Sequence, residues 1–246
     1  MMTTNLLVLL AIMIGLALAS VILLIILFRR IQRAQRQVHW SIWIELALIG
    51  LWTIWVGRAY LNLSPTIWPN GREFGMAIQA HFVWPLLPEC GPCVFWNGLT
   101  NGGAPAFADL YSAVLHPIVI GATLLFGAID GAKIILLAAL FTAGVAQWGV
   151  AKVLQLGRLP RLWAAAMAVT GGHLAGRMEH GLVALVLSTA ACSLIIAPGL
   201  DLALTRRRRS TVLLAIALAL AVLAGQGYLQ VGVLVAILPA FLVFLL

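Results

Sequence analysis

The sequence predicts an all-α, polytopic transmembrane helical bundle of about seven spans. It adds a re-entrant or interfacial helix and a large extracytoplasmic first loop that carries a surface helix. Three observations predict this. Of 246 residues, 63% are hydrophobic and 9% charged, whereas a soluble globular domain carries about 25% charged residues. Apolar runs near 20 residues, long enough for a ~30 Å hydrocarbon core, recur along the chain. The basic residues gather between those runs, with Arg29, Arg30, Arg33 and Arg36 in one cluster and Arg206, Arg207, Arg208 and Arg209 in another. Lipid leaves irregular backbone unsatisfied, so the spans are expected to be helices, and the alternating pattern of a barrel is absent.

The net charge of +8 is therefore not the footprint of a nucleic-acid partner. Clusters beside spans mark cytoplasmic loops, and a patch for an anionic partner is the alternative. The first run, residues 5–28, exceeds a signal-peptide core and lacks a basic leader, so it is expected to remain as a span. The next is 40–56. After it, residues 133–153, 162–175, 181–196, 211–224 and 231–246 are apolar enough to follow. The chain stops inside an apolar run, so the single transmembrane domain, 1–246, is expected to continue past Leu246.

The shorter apolar segment 112–128 sets the topology. If it crosses, the cluster at Arg206 and the basic residues Lys152, Arg158 and Arg161 fall outside. If it dips in and returns, all three basic loops fall inside, with eleven Lys and Arg there against four outside. The second arrangement obeys the positive-inside rule, so 112–128 is read as re-entrant or interfacial. The amino terminus and the loop 57–111 are then extracytoplasmic. Three short polar segments join the loop on that face: 128–133, 176–180 and 225–230.

Loop 57–111 is the one long stretch that cannot sit in a bilayer. It holds Glu73, Glu89 and Asp109, three of the seven acidic residues, and two of the three cysteines. Residues 72–84 read as a short amphipathic helix lying on the membrane surface. Phe74, Ile78 and Phe82 recur every four residues on one face, with Arg72, Glu73 and Gln79 polar. Pro85 and Pro88 end it. The tract WNGLTNGGAPAF beyond is loop.

Several motifs then stand in order. They are Gly91, Pro92, Trp96, Asn97, Gly98, Gly102, Gly103, Pro105, Ala108, Asp109, Tyr111, Ser112, His116 and Pro117. LGRLPRLWAA, the pair Arg177 and His180, and LAGQGYLQ follow. This order resembles bacterial membrane glycosyltransferases of the GT-C fold, especially the large YfhO-like group, from about Gly57 to the end. The resemblance implies transfer of a sugar from a polyprenyl-phosphate donor on the outer side of the bacterial inner membrane. It also implies an acidic base in the first outer loop, before the surface helix. Here Asn70 stands where that acid is expected, and an amide does not accept a proton from a hydroxyl at neutral pH. Glu73, three residues on, and Asp109 are the remaining catalytic candidates. The alternative is a GT-C-like subunit without catalysis, held in a larger respiratory or photosynthetic membrane complex.

Sugar transfer to a hydroxyl needs a carboxylate to take its proton. A divalent metal ion between Glu73 and Asp109 would neutralise a leaving phosphate; the plainer reading is two solvated carboxylates. Arg72 and Arg177 are candidates for a lipid phosphate, whose oxygens match the guanidinium fork, against a snorkelling Arg or an Arg177–Glu179 pair. His180, Trp96 and Gln230 complete the substrate-binding candidates. His173 and His180 are as consistent with packed polar residues, and His116 with a helix start. Cys90 and Cys93 form a C-x-x-C without the strand and helix that a redox centre needs, so a local disulfide is the preferred reading. Most tryptophans fall near span ends, as interfacial belts require. Glu45 lies inside a span, where a packing partner or solvent is expected to meet it.

Overall fold

The computed structural model describes residues 42–91, 95–98, 102–106, 113–226, 229, 231–232 and 235. The expected span 5–28, the arginine cluster after it and nearly all of 231–246 lie outside the described residues. So do Asp109, Cys93 and Gln230.

The described chain is mostly helical. Helix α1 is Ile42–Val56, followed by the 3-10 turn Arg58–Leu61; α2 is Phe74–His81 and α3 is Leu87–Cys90. Two-residue strands, β1 Trp96–Asn97 and β2 Ala104–Pro105, pair antiparallel with Trp96 opposite Pro105. Then come α4 Pro117–Val153, α5 Arg158–Thr170, α6 Gly172–Glu179, α7 Val183–Leu194, α8 Ile196–Thr205 and α9 Arg208–Leu223.

Among the described residues, two helical stretches are long and apolar enough to cross a membrane, Pro117–Val153 and Val183–Thr205. The first is not straight. Gly127 adopts φ 77° and ψ 178° inside it, a region essentially restricted to glycine. A Cβ on Gly131 would lie 2.9 Å from the Ala122 carbonyl oxygen, although the two are nine residues apart. A continuous helix would separate them by about 13 Å at 1.5 Å per residue. The chain therefore folds back at Gly127, and residues 117–126 form a short arm against the start of the long helix 128–153. His116 caps this arm, its Nδ1 accepting from the Ile118 amide at 3.2 Å, and Pro117 opens it where a missing N–H costs nothing. The short arm falls within the segment read as re-entrant.

The expected span 162–175 is instead two helices. Gly171, at φ −57° and ψ 127°, ends α5 and caps α6. The span expected to end at residue 196 continues to Thr205 through a break after Leu194. Pro198 explains that break, because its ring meets the carbonyl four residues earlier while fitting the first turn of α8.

The long helix α4 is the axis of the fold and packs chiefly on α5 and α7. Its buried face is Ala132, Ile135, Leu136, Ala139, Leu140 and Ala143; α7 answers with Ala184, Val186, Leu187, Ala190 and Ala191. Such alanine-rich faces let helix backbones approach closely. Gly144 marks a close crossing, where a Cβ would sit 2.9 Å from side chains of both Ile49 and Val169. The outer faces are apolar as well. On α1, Trp43, Leu51 and Trp55 are exposed, as are Val212, Ile216 and Val222 on α9. Contiguous exposed apolar surface marks contact with lipid or with a partner.

Glu45 is buried inside this bundle. Its Oε2 accepts from the Trp148 indole at 2.6 Å, and its Oε1 lies 3.4 Å from Arg161 Nη2 and 3.7 Å from Arg158 Nε. One carboxylate ties α1 to α4 and α5, the packing role expected for it. Helix α2 also differs from its expectation. Phe74 and Ile78 are buried in the main core, but Phe82, predicted on the same face, is exposed. The helix stops at His81, and Phe82 follows as its cap, its amide donating to the Ile78 carbonyl at 2.9 Å.

Candidate functional site

The start of the loop is held against the bundle by backbone contacts. The Glu73 amide donates to the His180 carbonyl at 3.1 Å. A Cβ on Gly71 would lie 2.4 Å from the Gly181 nitrogen, and one on Gly181 would lie 2.5 Å from the Phe74 nitrogen. Both glycines have positive φ, 137° and 77°. Two backbones can touch here only because neither residue carries a side chain. The bond to His180 also satisfies an amide that the first turn of α2 leaves without a helical partner.

A second anchor is electrostatic. Lys133 is buried in the first turns after Gly127. Its Nζ donates to the carbonyls of Asn62 and Ser64 at 2.8 and 2.9 Å, and to Asp130 Oδ1 at 2.6 Å. All three ammonium protons are used, so Lys133 is a pin for residues 62–64. Two of the three segments expected to gather with the loop, 128–133 and 176–180, do so. Of the third, 225–230, only Gly225, Gln226 and Leu229 are described, and the Gly225 carbonyl accepts from Ser188 Oγ on α7 at 3.0 Å.

Between these anchors lies a cavity of about 670 Å³. Its polar lining comes from Arg58, Tyr60, Asn62 and Asn70 of the loop, Lys133 of α4, and Thr170 and Glu179 from the α5–α6 side. Trp55 and Trp68 supply aromatic wall. Glu179 is the sole carboxylate among the described lining residues. Tyr60 donates to the Met178 carbonyl at 3.4 Å. Burial, and then the nearby Glu179 charge, push its phenol above the ordinary tyrosine value. Tyr60 therefore stays protonated at neutral pH and remains a hydrogen-bond donor beside Glu179. The Arg58 guanidinium lies 5.3 Å from the Trp55 ring and donates to the Trp55 carbonyl at 3.2 Å.

The predicted site residues distribute unevenly around this cavity. Asn70 lines it. Glu73 and Arg72 are exposed at the start of α2 and do not line it. Arg177, two residues before Glu179, points its Nη1 to Thr189 Oγ1 at 2.6 Å and bridges α6 to α7. His180 is exposed and contributes its carbonyl to the loop contact. Trp96 is exposed in β1 and packs over Gly103, where a Cβ would lie 2.4 Å from its Nε1. Cys90 closes α3, and its candidate partner Cys93 lies outside the described residues, as does Asp109.

Glu179, Tyr60 and Arg58 were not among the sequence candidates. The available signal was scarcity, since Glu179 is one of only seven acidic residues and sits in a polar break between apolar runs. Among the described residues, no three His, Cys, Asp or Glu side chains gather to hold a metal ion, and Asp109, one of the two expected metal ligands, lies outside them. No protein-family model, curated protein or solved structure matches the chain.

Proposed function

We propose that this chain is a multi-pass protein of a bacterial inner membrane, its amino terminus outside. In this reading it is a GT-C-like glycosyltransferase that uses a lipid-phosphate-linked sugar, with the cavity beside the first loop as its site. The observation that carries this reading is the position of Glu179. A carboxylate from α6 reaches the cavity wall that also carries Asn70, where the resembling fold places its acid. The missing base is then supplied from a different segment.

The chemistry follows from those groups. Glu179 takes the proton of an acceptor hydroxyl as that oxygen bonds to the anomeric carbon. The bond from that carbon to the phosphate oxygen breaks, and the lipid phosphate leaves with the electron pair. Arg58, a planar always-charged donor, suits the phosphate oxygens. Tyr60, whose one proton goes to the Met178 carbonyl, accepts a hydrogen bond from a sugar hydroxyl. No step requires a divalent ion.

The test is sugar transfer in membranes from a radiolabelled polyprenyl-phosphate sugar. Glu179→Gln is expected to lower the rate at least about 100-fold, the usual worth of a positioned general base, while Glu73→Gln retains it. Full activity of Glu179→Gln would remove the assignment. One observation favours the second reading, a subunit without catalysis in a larger membrane complex: Asn70 itself faces the cavity. That reading predicts fixed partners that co-migrate after mild-detergent extraction, with no effect of either substitution on the assembly.

A further inference from the structure

A second cavity, of about 810 Å³, lies where α4 meets α8 and α9. It is at the far end of α4 from the first. Lys133 lines the first cavity and Lys152 the second, and 19 residues of helix separate them by roughly 28 Å. The two cavities therefore stand about one hydrocarbon thickness apart.

The lining of the second cavity is divided. Its walls are apolar, with Leu194, Leu213, Ile216 and Leu220 among them. Leu213 and Ile216 are also 45% and 51% exposed, so the apolar wall opens outward from the bundle. Its polar end carries Lys152, Arg207 and Arg209 against one carboxylate, Asp201. Asp201 is occupied by the Ser210 hydroxyl, which donates to it. Three cations against one anion leave a net charge of +2 at the polar end. Lys152 Nζ sits 4.8 Å from the Trp148 ring, which fixes the ammonium at the mouth.

We propose that this cavity binds an anionic phospholipid, its phosphate among Lys152, Arg207 and Arg209 and one acyl chain along Leu213, Ile216 and Leu220. The inference rests on the reading of the chain as membrane-embedded and not on glycosyl transfer. Charge selects the occupant. A soluble anion would leave the apolar wall unused, and a zwitterionic headgroup would bring its own cation to a mouth already positive. Anionic lipids draw basic residues at a membrane surface with about a five-fold gain in binding per Lys or Arg.

The experiment uses the full chain in neutral-detergent micelles containing phosphatidylglycerol with brominated acyl chains. Bromine quenches tryptophan, and Trp148 lines this cavity. Saturable quenching at low mole fraction is expected. In an Arg207→Gln/Arg209→Gln variant, half-saturation is expected to need about 25-fold more lipid. An Arg206→Gln/Arg208→Gln variant, altered outside the lining, is expected to stay within about two-fold of wild type. Equal saturable quenching by brominated phosphatidylcholine, or an unchanged double variant, overturns the proposal. Competition by millimolar inorganic phosphate as strong as that by the lipid points to a free anion and also overturns it. A chain that stays in solution without detergent fails the membrane reading instead, which separates the two failures.

Discussion

Replacing Glu45 with Ala removes a single carboxylate that three donors share. The indole of Trp148 donates to it at 2.6 Å, and two guanidiniums lie 3.4 and 3.7 Å away. The carboxylate side chain is only 2% exposed, so its partners cannot be replaced there by bulk water. A hydrogen bond to a charged group contributes about 1.5–3 kcal/mol. The Arg158 and Arg161 side chains are 25% and 15% exposed. Water screens both, and each pair adds no more than about 1 kcal/mol. Glu45→Ala is therefore expected to destabilise by about 3 kcal/mol, at the low end for breaking a buried pair. For a chain of this length that lowers the unfolding midpoint by roughly 6–12 °C. Glu45→Gln keeps an oxygen for the indole and loses the charge, and should cost about half as much. Thermal unfolding in detergent, followed by tryptophan fluorescence, reads both. In the double variant Glu45→Ala/Arg161→Ala the losses should fall short of additive by at least about 0.5 kcal/mol. A Glu45→Ala midpoint within 1–2 °C of wild type, well below the shift expected for this size, would refute the claim that this carboxylate joins α1 to α4 and α5.

Two further outcomes follow from the site. Gly181→Ala forces a side chain onto φ 77° and into the Phe74 backbone. It is expected to destabilise by at least about 2 kcal/mol and to speed hydrogen exchange at the Glu73 amide, with unchanged exchange counting against the glycine contact. Tyr60 has a raised pKa in the folded protein, so the unfolded chain loses its proton first as pH rises. Its contribution to stability is full below the ordinary tyrosine value of about 10 and is lost as pH climbs from there through the folded pKa. Tyr60→Phe should remove a tyrosine that titrates above the ordinary value from the ultraviolet titration and flatten the alkaline fall in stability.

Composition and periodicity were enough to read the helical class and, among the described residues, the positions of most apolar helices and the polar loop that faces the bundle. These depend on local properties, namely the hydropathy of a run and the placement of Gly and Pro. The same logic reached Glu45, because a carboxylate inside an apolar run must find a partner. It placed the start of α2 but not its end, because the pattern at Phe82 continued after the helix had stopped. It also missed the break at Gly171. The pair Gly171 and Gly172 inside an apolar run is compatible with a continuous helix, and the packing around it decides.

The candidate site was less legible. The sequence pointed to the loop and the Arg177–His180 segment, and the two meet. It selected Glu73, Arg72 and Arg177 within them, whereas the cavity is lined by Asn70, Arg58, Tyr60 and Glu179. A helix turn separates Arg177 from Glu179 by about 200° around the axis, and only the docking of α6 decides which of them meets the loop. The turn at Gly127 is of the same kind. The sequence separated the apolar segment 112–128 from the span 133–153, but only the structure shows that a positive φ at Gly127 folds one back on the other and brings Lys133 under residues 62–64. Local chemistry along the chain determined what this protein is made of and which surfaces must avoid water. Contacts between residues more than a hundred positions apart, such as Glu73 with His180 and Glu45 with Trp148, decided which polar groups share a cavity, because no local pattern encodes the angle at which two helices meet.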